Sequence, residues 1–149
     1  MNRYRAQVSL WLKHPTRDLL PVCKTLGLEP ETIWKRGDER RTPKGRLLGG
    51  KRDSSYCSID LGPTSRKTVA RQIEAALERL QPHRAVLRRL SSTGGKVIFC
   101  VGWFFDEDSG ETFSSDLLQA MALLHIALDL HIYLPDAVEP VGSAEISKS

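Results

Sequence analysis

The chain reads as an α+β protein, a ferredoxin-like two-layer α/β sandwich. Its sheet is expected to be mixed but mostly antiparallel, of about five strands in the order β-α-β-β-α-β-α-β, with the helices on one face. Three observations predict this. Apolar residues alternate with polar ones in the strand-like segments and recur as helical stripes between them. Glycine and proline punctuate the boundaries. Both ends also give strand, helix and strand, from Val8 to Trp34 and again from Val97 to Tyr133. Right-handed crossovers in both units bring the helices to the same face.

Taken in order, Tyr4, Ala6, Val8, Leu10 and Leu12 alternate with Arg5, Gln7, Ser9, Trp11 and Lys13, the period of a strand covered on one side. Pro15 stands at a natural helix start, and Leu19, Val22, Cys23 and Leu26 then share one stripe. Gly27 is placed to end that helix in the left-handed conformation. A short strand is expected over 32–36 and a second over 54–61, the latter with Cys57, Ile59 and Leu61 on one face. After Gly62-Pro63, Thr64 or Ser65 caps the best-defined helix, whose stripe is Val69, Ile73, Ala76, Leu77 and Leu80. Pro82 interrupts it, and a short helix carrying Val86, Leu87 and Leu90 runs to Gly94-Gly95.

Residues 96–105 form the strongest strand. Val97, Phe99, Val101, Trp103 and Phe105 lie on one side and Ile98, Cys100 and Phe104 on the other, which places it centrally in the sheet. Asp106 to Glu111 is an acidic turn. Ser114 or Ser115 caps a last helix with Leu117, Leu118, Met121, Leu124 and His125 inward. Leu128, Leu130, Ile132 and Leu134 alternate with Asp129, His131 and Tyr133 in a final strand. Residues 1–135 are thus expected to make a single domain, and 136–149 a disordered tail.

At 149 residues, 40% hydrophobic and 27% charged, the chain has the make-up of an ordinary soluble domain with one sizeable core. No apolar run approaches the roughly 20 residues a membrane-spanning helix needs. The start, Met1 to Arg5, leads into strand-like alternation and not into a secretory leader. Cys23, Cys57 and Cys100 are odd in number and widely spaced. They read as small buried apolar residues in a reducing cytoplasm.

Charge is unevenly placed. Residues 1–95 hold 20 Lys or Arg against 9 Asp or Glu, whereas residues 96–149 hold 2 against 9. Either the two parts pack through complementary faces, or the basic side attracts nucleic acid, an anionic ligand or an acidic protein. The charge peaks over 35–52, where eight Lys or Arg, four Gly and one Pro face only two acids. A loop that long is functional or disordered.

Chemical motifs are wanting. Gly45 to Lys51 comes close to a phosphate-binding loop, but Arg52 stands where Ser or Thr is required. The acidic turn lacks the spacing of a calcium loop and reads as solvated. His125, Asp129 and His131 are near in sequence but straddle a helix-to-strand turn, so His14, His83, His125 and His131 read as core or surface histidines. No serine or cysteine sits in a nucleophile motif. The chain is therefore expected to be no enzyme and to hold no cofactor and no metal.

Two surfaces remain. One is the basic loop, with Arg36, Arg40, Arg41, Lys44, Arg46, Lys51 and Arg52, edged by Trp34 and Tyr56. The other is the sheet face away from the helices, carrying Arg5, Gln7, Trp11, Tyr56, Ser58, Phe104, His131 and Tyr133. Cations beside aromatics suit a protein partner or single-stranded nucleic acid, although the aromatic signature of RNA-recognition sheets is missing. The same face suits pairing with a second copy as a homodimer. A third reading is an enzyme or a small-ligand sensor using a pocket under Trp34.

His14-Pro15, Leu26-Gly27-Leu28-Glu29-Pro30 and Trp34-Lys35-Arg36-Gly37-Asp38, with the opening Val8 to Leu12 and the closing Leu128 to Tyr133, carry a resemblance. Together they resemble a bacterial family known as domain-of-unknown-function family 4279, over roughly residues 4 to 134. The resemblance implies a small bacterial cytoplasmic domain without an established activity, and it transfers no site residues. The expectation is a non-catalytic protein-binding module, accessory or immunity-like, with single-stranded nucleic-acid binding as the alternative.

Overall fold

The computed structural model describes residues 3–134. The tail expected over 136–149 lies outside them. Strand β1 (Tyr4–His14) is the middle of a five-stranded sheet, and its helix-facing side is apolar from Tyr4 to Leu12. Tyr4, Ala6, Val8, Leu10, Leu12 and His14 are buried in strict alternation with less buried neighbours.

Helix α1 (Leu20–Leu26) begins later than Pro15. The His14 ring accepts the amides of Thr16 and Arg17 at Nδ1, and the Asp18 carboxylate accepts that of Leu20. These local bonds hold the connection out of the helix. Gly27 ends α1 at φ 69°, as expected, with the amides of Gly27 and Leu28 turned back onto Lys24 and Cys23.

Strand β2 (Thr32–Trp34) stops two residues short of expectation because Lys35 and Asp38 bond to each other in a turn. The basic stretch is not a loop. It forms β3 (Glu39–Arg41) and β4 (Leu47–Lys51), a separate two-stranded ribbon. Strand β5 (Ser55–Asp60) then returns to the main sheet.

Helix α2 (Val69–Leu80) is capped by Thr68, whose hydroxyl accepts the Arg71 amide, and not by Thr64 or Ser65. Ser65 is tied instead to Ala6 by two backbone bonds of 2.8 and 2.9 Å, which hold it against the sheet. Pro82 opens a single 3-10 turn before α3 (Arg84–Ser92). Strand β6 (Lys96–Phe105) has the bounds its alternation predicts.

Helix α4 (Ser115–Leu123) is capped by Ser114, and β7 (Ile126–Tyr133) follows at once. The link is His125 at φ 58°, so its side chain is exposed and not inward; Leu118 is exposed too.

The strand order is β2-β5-β1-β6-β7, with every neighbouring pair antiparallel except the parallel β6–β7. Strand β6 is interior, as expected, although β1 holds the middle. Val22, Cys23, Ile73, Leu80, Leu87, Leu90 and Leu117 from the helices meet Leu10, Leu12, Ile59, Phe99 and Val101 from the sheet in one core. Helical cover runs out along β7, where Leu130 and Ile132 are 43% and 60% exposed on the helix side. Among the described residues no helix is long and apolar enough to cross a membrane.

Candidate functional site

The sheet face away from the helices is open, and strand alternation sends a row of aromatic side chains onto it. Trp34 of β2 is the register partner of Tyr56 of β5, and Trp11 of β1 is that of Ser58. The Trp34 and Tyr56 rings lie 4.7 Å apart, tilted by 34°. Tyr56 meets Trp11 edge-on at 6.1 Å and 67°. Trp11 continues to His131 of β7 at 6.0 Å and 57°. A second pair, Phe104 and Tyr133, stacks at 4.7 Å and 9° over Gly102, where a Cβ would lie 3.2 Å from Phe104 Cε2. The expected face residues therefore form two ring clusters.

Cations sit on these rings. The Arg52 guanidinium lies 3.6 Å above the centre of Trp34, Lys13 Nζ 5.7 Å from that of Trp11, and Arg5 5.8 Å from that of Phe104. Arg52 Nε is buried without a hydrogen-bond partner among the described residues, so its guanidinium is held by stacking. Burial pushes the Tyr56 phenol above its ordinary value.

Arg52 also closes the ribbon. Its amide donates to the Asp38 carbonyl at 2.8 Å and its carbonyl accepts the Gly37 amide at 2.9 Å. At the far end Thr42 and Arg46 pair, and the Thr42 hydroxyl accepts the Arg46 amide at 3.0 Å. Gly45, Gly49 and Gly50 all take φ between 77° and 91° along the returning side, which explains a glycine-rich sequence with no strand-like alternation.

Arg36, Lys44, Arg46 and Lys51 are exposed. Arg40 and Arg41 are exposed too, and lie along the ribbon with their guanidinium groups donating to the carbonyls of Gly49 and Gly45. The pocket expected under Trp34 is an open cleft of about 770 Å³ between β2 and the ribbon, lined by Glu31, Ile33, Trp34, Glu39, Arg41 and Arg52.

The cysteines divide. Cys23 of α1 and Cys57 of β5 are buried with their sulfurs 3.2 Å apart. The hydrogen bond between the two thiols holds the pKa of Cys23 below the usual thiol range, and the same bond, with burial, pushes that of Cys57 up. Cys100 is not a core residue. It is half-buried on the open face, where burial and then the Asp129 carboxylate push its thiol up.

The acidic turn was not wholly legible either. Glu111 is no solvated acid: its carboxylate accepts the amides of Val69 and Ala70 at 3.1 and 3.0 Å, and the Tyr4 hydroxyl bonds to it. It thereby caps α2 from a distant loop.

Comparison with known proteins adds one finding. A family model described as "Domain of unknown function (DUF4279)" matches residues 2–135. No curated protein matches the chain, and no solved structure does.

Proposed function

This chain belongs to the domain-of-unknown-function family DUF4279, and from that premise we propose that it is a non-catalytic protein-binding module. Its basic ribbon and the aromatic row of its open sheet grip an acidic segment of a protein partner. The observation that carries this reading is the continuous contact of Trp34, Tyr56 and Trp11, with Arg52 seated on Trp34 at the root of the ribbon. Tryptophan, tyrosine and arginine are the residues that dominate binding energy at protein interfaces.

Ring geometry favours a protein over single-stranded nucleic acid. Stacked bases need free ring faces. Here Arg52 covers a face of Trp34, and Trp11 meets its neighbours at 67° and 57°. Asp60 and Asp129 stand on the same face and repel phosphate. A non-catalytic role is supported by the unactivated Cys100 thiol and by His14, whose two ring nitrogens engage Thr16, Arg17 and Thr93. We read β2-β5-β1-β6, with α1 and α2, as a ferredoxin-like core extended by β7. The antiparallel pairing of all four strands supports that reading.

Affinity capture from a bacterial lysate treated with nuclease tests the function. The same discrete protein is expected on the wild type and on neither of two folded variants. One replaces Arg40, Arg41, Lys44 and Arg46 with serine; the other is Trp11→Ala. The loss on Trp11→Ala is about 2 kcal/mol, roughly thirtyfold in Kd. A protein retained by both variants overturns the reading. Capture of nucleic acid alone, with affinity falling at a log–log salt slope near about −0.7 per phosphate, reassigns the surface to single strands.

A further inference from the structure

Strand β7 brings a second constellation to the open face. Cys100 of β6 and Asp129 of β7 are partners in the parallel register, and His131 follows two residues later. The strand period therefore sends all three side chains to the side away from the helices. Cys100 Sγ, an Asp129 carboxylate oxygen and a His131 ring nitrogen all lie within 4.8 Å of one another. His131 Nε2 is already 3.4 Å from Asp129 Oδ2.

A tetrahedral ion with bonds of about 2.0–2.3 Å separates its ligand atoms by about 3.3–3.8 Å. Closing this set takes side-chain adjustments of about an ångström, within the reach of χ rotations on a fixed backbone. The backbone beneath is fixed, since β6 and β7 pair continuously from Val97 to Phe104.

The donor types select the ion. Thiolate, imidazole and carboxylate together are a zinc-class set. Calcium and magnesium take oxygen ligands and have no use for sulfur or imidazole. We propose that Cys100, Asp129 and His131 form a binding site for Zn²⁺ on the open sheet face. Three protein ligands leave the fourth position for water or for a donor from a bound molecule. Binding replaces the Cys100 thiol proton, which passes to solvent. The Trp11 ring, 6.0 Å from that of His131, walls one side. Trp11 is thereby shared with the docking row, but ion binding does not depend on that role.

Titration of the full chain with Co²⁺, in a phosphine reductant, tests this. The expected result is a near-ultraviolet thiolate-to-cobalt band that saturates at one ion per chain and is displaced by Zn²⁺. Cys100→Ser abolishes the band, whereas Cys23→Ala, altering the buried thiol pair, keeps it. His131→Ala and Asp129→Asn each weaken Co²⁺ binding by on the order of 10–100-fold, at least the loss a supporting residue brings. No band overturns the proposal, and so does a band that survives Cys100→Ser. If Cys100→Ser does not fold, unchanged Co²⁺ affinity in both His131→Ala and Asp129→Asn overturns it as well.

Discussion

Cys23 and Cys57 face each other across the boundary between α1 and β5, sulfur to sulfur at 3.2 Å, inside the core. A disulfide needs about 2.05 Å, so little movement separates the two thiols from a bond. An azo oxidant such as diamide, which takes up the two hydrogens, should link them and leave Cys100 as the single free thiol. The mass falls by two hydrogen atoms, and the oxidised protein should be more stable to unfolding than the reduced one by roughly 2–4 kcal/mol. Three thiols still titratable in denaturant after oxidation would contradict this.

Glu111 holds the start of α2 from outside it. Glu111→Ala removes the acceptor of the Ala70 amide and the bond from the Tyr4 hydroxyl, and leaves the Val69 amide with the Tyr4 hydroxyl oxygen alone, at 2.9 Å. The expected cost is about 1–3 kcal/mol in urea unfolding. Glu111→Gln keeps an oxygen acceptor and should lose less. Equal stability in both variants and the wild type would show that the cap contributes nothing.

Gly95 is required for space. A Cβ there would lie 2.7 Å from the Leu90 carbonyl oxygen and 2.8 Å from that of Lys13. Backbone presses from both sides, so Gly95→Ala must part α3 from the end of β1, at roughly 1–3 kcal/mol. Gly110 has nothing within 4 Å, and Gly110→Ala should stay within about 0.5 kcal/mol of wild type. Thermal or urea midpoints of the two variants make the comparison.

Tyr56 gives the fold an alkaline limit. Its phenol is raised above the ordinary tyrosine value of 10.0 chiefly by burial, so the folded state holds its proton more tightly than the unfolded one. That contribution is complete below pH 10 and is lost as pH rises through the folded value. Tyr56→Phe should therefore lose less stability than the wild type between neutral pH and the alkaline range. Parallel pH profiles for the two proteins would refute this.

Much of this was legible because burial writes a period into the chain. Tyr4 to Leu12 and Val97 to Trp103 alternate because one side of each strand meets the core, and the open-face placement of Trp11, Tyr56 and His131 follows from the same alternation. The ribbon was hidden because nothing in β3 or β4 is buried; backbone bonds and left-handed glycines shape it, and neither leaves a hydrophobic signature. The Thr68 cap was missed because Ser65 is an equally good capping residue whose tether to Ala6 is remote in sequence. Cys100 was read as core because only the β6–β7 register sets it beside Asp129 and His131. The meeting of Cys23 with Cys57 depends in the same way on how α1 lies across β5.

The central position of β1 also bears on how the protein is made. Tyr4 pairs opposite Phe105, and Leu12 opposite Val97. Strand β1 therefore leaves the ribosome well before its β6 partner, which follows only after α1, β5, α2 and α3 have been synthesised. At usual elongation rates of about 5–20 residues per second, the wait is on the order of ten seconds. Throughout it the apolar row from Val8 to Leu12 has only β5 and the early helices for cover. Nascent chains stalled before β6 should accordingly be the species that chaperones hold and that aggregate when chaperones are scarce.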